Sequence, residues 1–279
     1  MGELLRSAST EVRRAFTGRS FLLSVACGMI LVAWHTSARV LPRARLNQSV
    51  PVGTYPFSLH QLWMGMDGSS DAGGVYMYLV PLLAAIPYGA SLFDDRRSGY
   101  DIQMVTRTKR MNYYLAKQGA VFLSGGVASI VPLITSFGVT ALFVPALKPL
   151  PITGTFSLWA SSVGADVYYA EPFLYFVGGL TIVFLWGGAM ALLAVLAGHF
   201  LSIRVVVLVF PLLLLFFVEF VCASVNPDAV LLRYSPFSFV RLNQPIIGMS
   251  LSVILVEWLG VVAFTTAVLL VRARQDEAL

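Results

Sequence analysis

Charge is the scarcest property of this 279-residue chain: 12% of its residues are Asp, Glu, Lys or Arg, while 57% are hydrophobic. A soluble domain carries about 25% charged residues, so a water-facing globule is excluded. Cysteine is nearly absent. Cys27 and Cys222 both fall inside apolar runs, which argues against a disulfide framework. None of the three histidines has a second His or a Cys at ligand spacing, so no metal site is expected. The chain also lacks a Gly-x-x-x-x-Gly-Lys-Ser/Thr phosphate loop and cannot supply its own ATP hydrolysis.

What is present is apolar length. The mean hydropathy is +0.78, and the uninterrupted apolar runs predict an all-α polytopic membrane protein. The formal charge of +5 could suggest nucleic acid, but the basic residues stand at the ends of apolar runs, as they do beside a membrane. The lipid bilayer, not nucleic acid, is the expected surroundings. Six spans are predicted, at residues 21–38, 75–93, 119–144, 173–196, 205–224 and 250–271, each near the roughly 20 residues a bilayer core requires. Prolines 81 and 87 lie within the second and predict kinks.

The segments outside these spans differ in character. Residues 3–17 place Leu4, Leu5, Ala8, Val12, Ala15 and Phe16 on one side of a helix and Arg6, Ser9, Thr10, Arg13 and Arg14 on the other, the pattern of an amphipathic helix lying in the interface. The charged segment is itself helical and no small-residue cleavage site follows, so this helix is expected in the mature protein. Residues 39–74 are broken by Pro42, Pro51, Pro56 and several glycines. Tyr55, Phe57, Leu62 and Trp63 predict a short interfacial piece there. Residues 225–249, with Pro227, Pro236 and Pro245 among apolar residues, are too apolar for a loop and too broken for a span, and predict a re-entrant segment. Counting Lys and Arg with the N-terminus inside gives thirteen inside and six outside, so both termini are expected in the cytoplasm.

The densest block of charge, residues 93–117, then becomes a cytoplasmic loop between the second and third spans. Its order of residues is Asp95, Gly99, Arg107, Arg110, Tyr113, Tyr114 and Lys117. Together with the amphipathic helix, the six spans and the broken segment before the last span, this order resembles the ABC-2 type permeases, the membrane subunits of one class of ATP-binding-cassette exporters. In that family an acidic residue ends the second span, a glycine follows four positions later, and a helical stretch leads through a basic residue and an aromatic or aliphatic pair to a lysine entering the third. Tyr100, Met104-Val105 and Thr106 stand where the family often has threonine, a leucine pair and proline.

The resemblance implies that residues 94–118 form a coupling helix docked on a separate ATPase subunit. The contacts would come from Asp95, Arg96, Arg97, Gly99, Arg107, Lys109, Arg110, Tyr114 and Lys117. It further implies ATP and Mg on that partner, no cofactor on this chain, no catalytic residue of its own, a second permease copy or paralogue, and a plasma-membrane location. Leu123-Ser124-Gly125-Gly126 copies the start of the ABC ATPase signature, but it lies inside the third span and reads as small-residue helix packing.

Glu219 and Glu257 are the two acids within apolar runs. Insertion of such a group costs about 2.5–3.5 kcal/mol, so each is expected to face protein or water. They could line a substrate path, hold a cationic ligand, reach the interface, or satisfy re-entrant backbone. A stand-alone secondary transporter or channel coupled through these two acids is the alternative reading. A membrane-embedded enzyme is disfavoured, since His35, His60 and His199 have no serine or carboxylate at hydrolase spacing.

Overall fold

The computed structural model describes residues 2–51, 55–105, 110–150, 158, 162–225, 230–243 and 249–275, and all regular structure among them is helical. Helix α1 (Gly2–Thr17) is separated from α2 (Arg19–His35) by Gly18, whose extended backbone turns the chain between them. Sequence reasoning ends the first span at residue 38. Instead, α2 runs through a π turn (Thr36–Val40) into α3 (Leu41–Asn47), making one 29-residue apolar rod. Pro42 does not stop the helix, because it sits in the first turn of α3 behind the wider π turn, where its missing N–H breaks no α-helical bond.

The piece expected at the interface is buried instead. Short helix α4 (Leu59–Leu62) and the turn after it pass between the long helices, with Trp63 edge-on to Phe176 and Phe137 at centroid distances of 5.2 and 6.0 Å. Irregular backbone can be buried only if its polar groups find partners, and the α2–α3 rod supplies them. His35 bonds the Ser70 hydroxyl at 2.7 Å and the Leu62 carbonyl at 2.8 Å, and Arg39 donates a fork to Asp67 at 2.8 and 3.0 Å.

Helix α5 (Asp71–Ala85) starts where the Ser70 hydroxyl accepts the Gly73 amide. It tolerates Pro81 but ends before Pro87, so the expected 75–93 span is a helix followed by a bend at residues 86–90. Fifteen residues rise about 22 Å, short of the roughly 30 Å hydrocarbon core. Beyond the bend lie α6 (Ser91–Ser98) and α7 (Tyr100–Val105). The expected third span begins early, as α8 (Arg110–Phe143), so Tyr113 to Gln118 form its opening turns rather than a loop. Helix α9 (Ala165–Ala170), α10 (Pro172–Ala197) and α11 (Arg204–Val225) follow, then a 3-10 turn (Val230–Tyr234), α12 (Pro236–Val240) and α13 (Leu251–Gln275).

Five rods, at residues 19–47, 110–143, 172–197, 204–225 and 251–274, are long and apolar enough to cross a membrane, which makes this a multi-pass membrane protein. Helix α10 is the axis: 72% of its apolar window is buried, against 17% in α11 and in α13. Its glycines explain the position. Gly187 and Gly188 abut Ser129 and Phe122 of α8, while Gly125 and Gly126 of α8 abut Ala191 and Phe184 of α10. Small residues on both sides let the two backbones approach, as expected for the Leu123 to Gly126 run. Of the expected re-entrant segment, residues 226–229 and 244–248 lie outside the described residues. Between them, α12 is buried throughout, with Phe237 against Tyr78 and Phe216, and Phe239 against Trp186.

Candidate functional site

The strongest concentration of chemistry lies where α1, the 86–90 bend, α6 and α8 converge, at the end of the bundle that carries α6 and α7. Two carboxylates and two cations meet there. Asp95 of α6 accepts the Lys117 ammonium of α8, the Tyr113 hydroxyl at 2.7 Å and the Arg14 guanidinium of α1 at 3.0 Å. Glu11 of α1 accepts the Tyr88 hydroxyl at 2.7 Å and Arg14 at 3.1 Å, and stands 3.7 Å from Lys117. Arg14 also lies 4.4 Å from the Tyr100 ring centre. Glu11, Asp95 and Lys117 are essentially closed to solvent, at 0%, 3% and 1% exposure, so their charges are compensated by one another rather than by water.

The electrostatics follow from that closure. Burial alone would raise the Asp95 carboxyl, but the Lys117 charge and the hydrogen bonds from Lys117, Tyr113 and Arg14 outweigh it and hold the group below its ordinary value. Burial likewise works against the Arg14 cation, and Asp95 with Glu11 more than offsets this, so Arg14 stays charged at any working pH. The arrangement offers no free base, nucleophile or metal-ligating group, and among the described residues no group of three or more His, Cys, Asp or Glu is disposed to hold a metal. Mechanically it ties the amphipathic helix to both ends of the polar loop.

Asp95 and Lys117, expected as contacts for a partner, are therefore interior and face each other. Tyr114 is buried as well, stacked on His199 at 6.1 Å, with its hydroxyl accepting Arg96 at 3.3 Å. Arg97 is exposed, and Arg96 and Arg110 are half-buried. Arg107 and Lys109 lie outside the described residues. Gly99 is a helix stop: its φ of 70° caps α6 in the left-handed region and turns the chain into α7. Gly99→Ala should cost about 1–2 kcal/mol and Gly99→Asn less, read as the fall in thermal unfolding midpoint of the purified protein.

Sequence reasoning missed Glu11, Arg14 and Tyr88 as site residues. A signal existed for Glu11. The expected apolar stripe follows Ala8, Val12 and Phe16, but the buried line is Ser7, Glu11 and Ala15, one residue or about 100° around the helix. An acid spaced four residues from small neighbours on both sides marks that line. Glu219 and Glu257 are not part of this cluster. The Ser235 hydroxyl donates to Glu219, and Glu257 is half-buried on α13.

Fold and site together define a helical multi-pass membrane protein whose N-terminal helix is anchored by buried ion pairs to a polar loop. Scans of protein-family models, curated proteins and solved structures found no match to the chain.

Proposed function

We propose that this chain is the transmembrane subunit of an ATP-driven transporter of the ABC-2 permease kind, acting as an exporter, with its polar loop in the cytoplasm of a plasma-membrane protein. The observation that carries the reading is the four-charge anchor. A force applied to α6 and α7 is passed by Asp95 to Lys117 on α8 and to Arg14 on α1, so one docked partner moves a membrane rod and the interfacial helix together. In this reading α5 and the 86–90 bend supply the sixth crossing, and α12 belongs to a re-entrant segment before α13. ATP and Mg are held by separate ATPase subunits. The sparsely covered faces of α11 and α13 are available to lipid or to a second permease subunit. The docking surface is then limited to the outward residues, with Arg97 at its centre and Arg96 and Arg110 beside it. The carrier alternative rests on Glu219 and Glu257; the engagement of Glu219 by Ser235 favours the first reading.

The test is copurification from the native membrane in mild detergent. An ATPase subunit should accompany the tagged chain, and the combined Arg97→Glu and Arg110→Glu changes should remove it while leaving the unfolding midpoint unchanged. Transport by the chain reconstituted alone, with no ATPase present, would refute the proposal.

A further inference from the structure

At the other end of the bundle, an apolar groove of about 480 Å³ lies between α10 and α13 and is floored by α12. Gly178, Gly179, Ile182, Leu242, Ile254 and Leu255 form much of its wall. It opens sideways onto the lipid-facing surface of the bundle: Leu174 and Leu255 at its mouth are 59% and 40% exposed, in helices that cross the membrane. A cavity of this composition and opening accepts hydrocarbon.

Polar side chains interrupt the apolar lining. Arg241 is one, with its guanidinium 3.9 Å from the Tyr78 ring centre. It has no carboxylate partner among the described residues, and its buried Nε has no hydrogen-bond acceptor there. Ser162, which also lines the groove, has a buried hydroxyl that is likewise without a partner among the described residues. The nearby acids do not neutralise the cation. Asp67 is occupied by Arg39, and Asp71 is exposed in a neighbouring cavity that Arg241 also borders. A buried polar atom left without a partner is unfavourable, so a guanidinium and a hydroxyl in the wall of an open apolar groove call for an anionic group attached to a chain.

We propose that this groove binds one anionic phospholipid of the surrounding bilayer, its acyl chain between α10 and α13 and its phosphate on Arg241 and Ser162. The occupant is a resident lipid rather than cargo, because the groove faces the bilayer and charge complementarity selects the headgroup. The inference does not depend on the transport reading. A guanidinium suits phosphate through paired N–H donors, and the lipid would fasten α13, the least covered helix together with α11, onto α10.

The test uses the full chain, delipidated in detergent, and measures the unfolding midpoint as dioleoyl phosphatidylglycerol or dioleoyl phosphatidylcholine is added. Binding to the folded state alone raises the midpoint in proportion to occupancy. Phosphatidylglycerol should raise it in the native protein and phosphatidylcholine should do so at least tenfold less potently. Arg241→Ala should remove the preference between the two. Gly178→Leu provides a separate check, since a Cβ there meets no atom within 4 Å, so the larger side chain enters the groove without displacing the fold. It should abolish the response to phosphatidylglycerol and leave the lipid-free midpoint in place. Equal responses to the two lipids, or an undiminished response in Gly178→Leu, would overturn the proposal even if Arg241→Ala fails to fold.

Discussion

Lys117→Met should cost about 3–5 kcal/mol of stability, the penalty for removing one member of a buried ion pair, and should lower the yield of monodisperse protein in detergent accordingly. The loss comes less from the vanished attraction than from what remains. Asp95 and Glu11, both essentially unexposed, would then face Arg14 as the sole cation of the cluster. Asp95→Asn should be costly for the mirror reason, leaving the Lys117 ammonium with Glu11, at the longer 3.7 Å, as its one carboxylate among the described residues. The double variant Lys117→Met with Asp95→Asn restores charge balance and should be more stable than the sum of the single losses by at least 1 kcal/mol. Strict additivity, or single changes within about 0.5 kcal/mol of the native protein, would show that the four charges do not act as a unit. Acid titration gives an independent reading. The folded Asp95 carboxyl lies below its ordinary value of 3.8, so its contribution is complete above that value and disappears as the pH falls through the depressed one. The stability gap between native protein and Asp95→Asn should therefore be constant at neutral pH and narrow only below about pH 4.

The second large effect is steric. Gly125→Leu should abolish the folded state, and even Gly125→Ala should cost about 1–3 kcal/mol through overpacking. A Cβ built at Gly125 falls 2.5 Å from the Ala191 methyl of α10 and 2.9 Å from the Ala84 carbonyl of α5. Neither neighbour is a flexible side chain that can swing aside. Helices α8, α10 and α5 meet at this one point, so separating any two opens the centre of the bundle. Gly119 and Gly138 lie on the same helix with nothing within 4 Å of an added Cβ, and alanine at either should be neutral or stabilise by up to about 1 kcal/mol. A Gly125→Ala midpoint no lower than that of Gly138→Ala would contradict the packing described.

Much of the helix pattern was legible because membrane helices are written locally. Apolar runs located α8, α10, α11 and α13 to within a few residues, apart from the early start of α8, and the Leu123 to Gly126 run read correctly as packing. Two elements were misread at prolines, Pro42 taken as a helix breaker and Pro87 as a kink within a continuing span. Pro42 continues a rod because a π turn precedes it, and Pro87 ends one because the bend behind it packs Gly89 against Ala194. Trp63 looked interfacial because aromatics do gather there, but its position is set by His35 and Arg39 on the preceding rod, which no local pattern reveals.

By itself the sequence determined that this chain lives in lipid, that its N-terminal helix is amphipathic, and that one charged block interrupts the apolar runs. These are consequences of hydropathy and of a 3.6-residue period. Only the tertiary structure decided that the block turns Asp95 and Lys117 inward to meet Glu11 and Arg14. The Arg14 to Asp95 and Tyr88 to Glu11 bonds join residues 81 and 77 positions apart. A charge in a sequence carries no label for the partner that will compensate it, and burial of Glu11, Asp95 and Lys117 beside the half-exposed Arg14 becomes favourable only after the helices that bear them have packed.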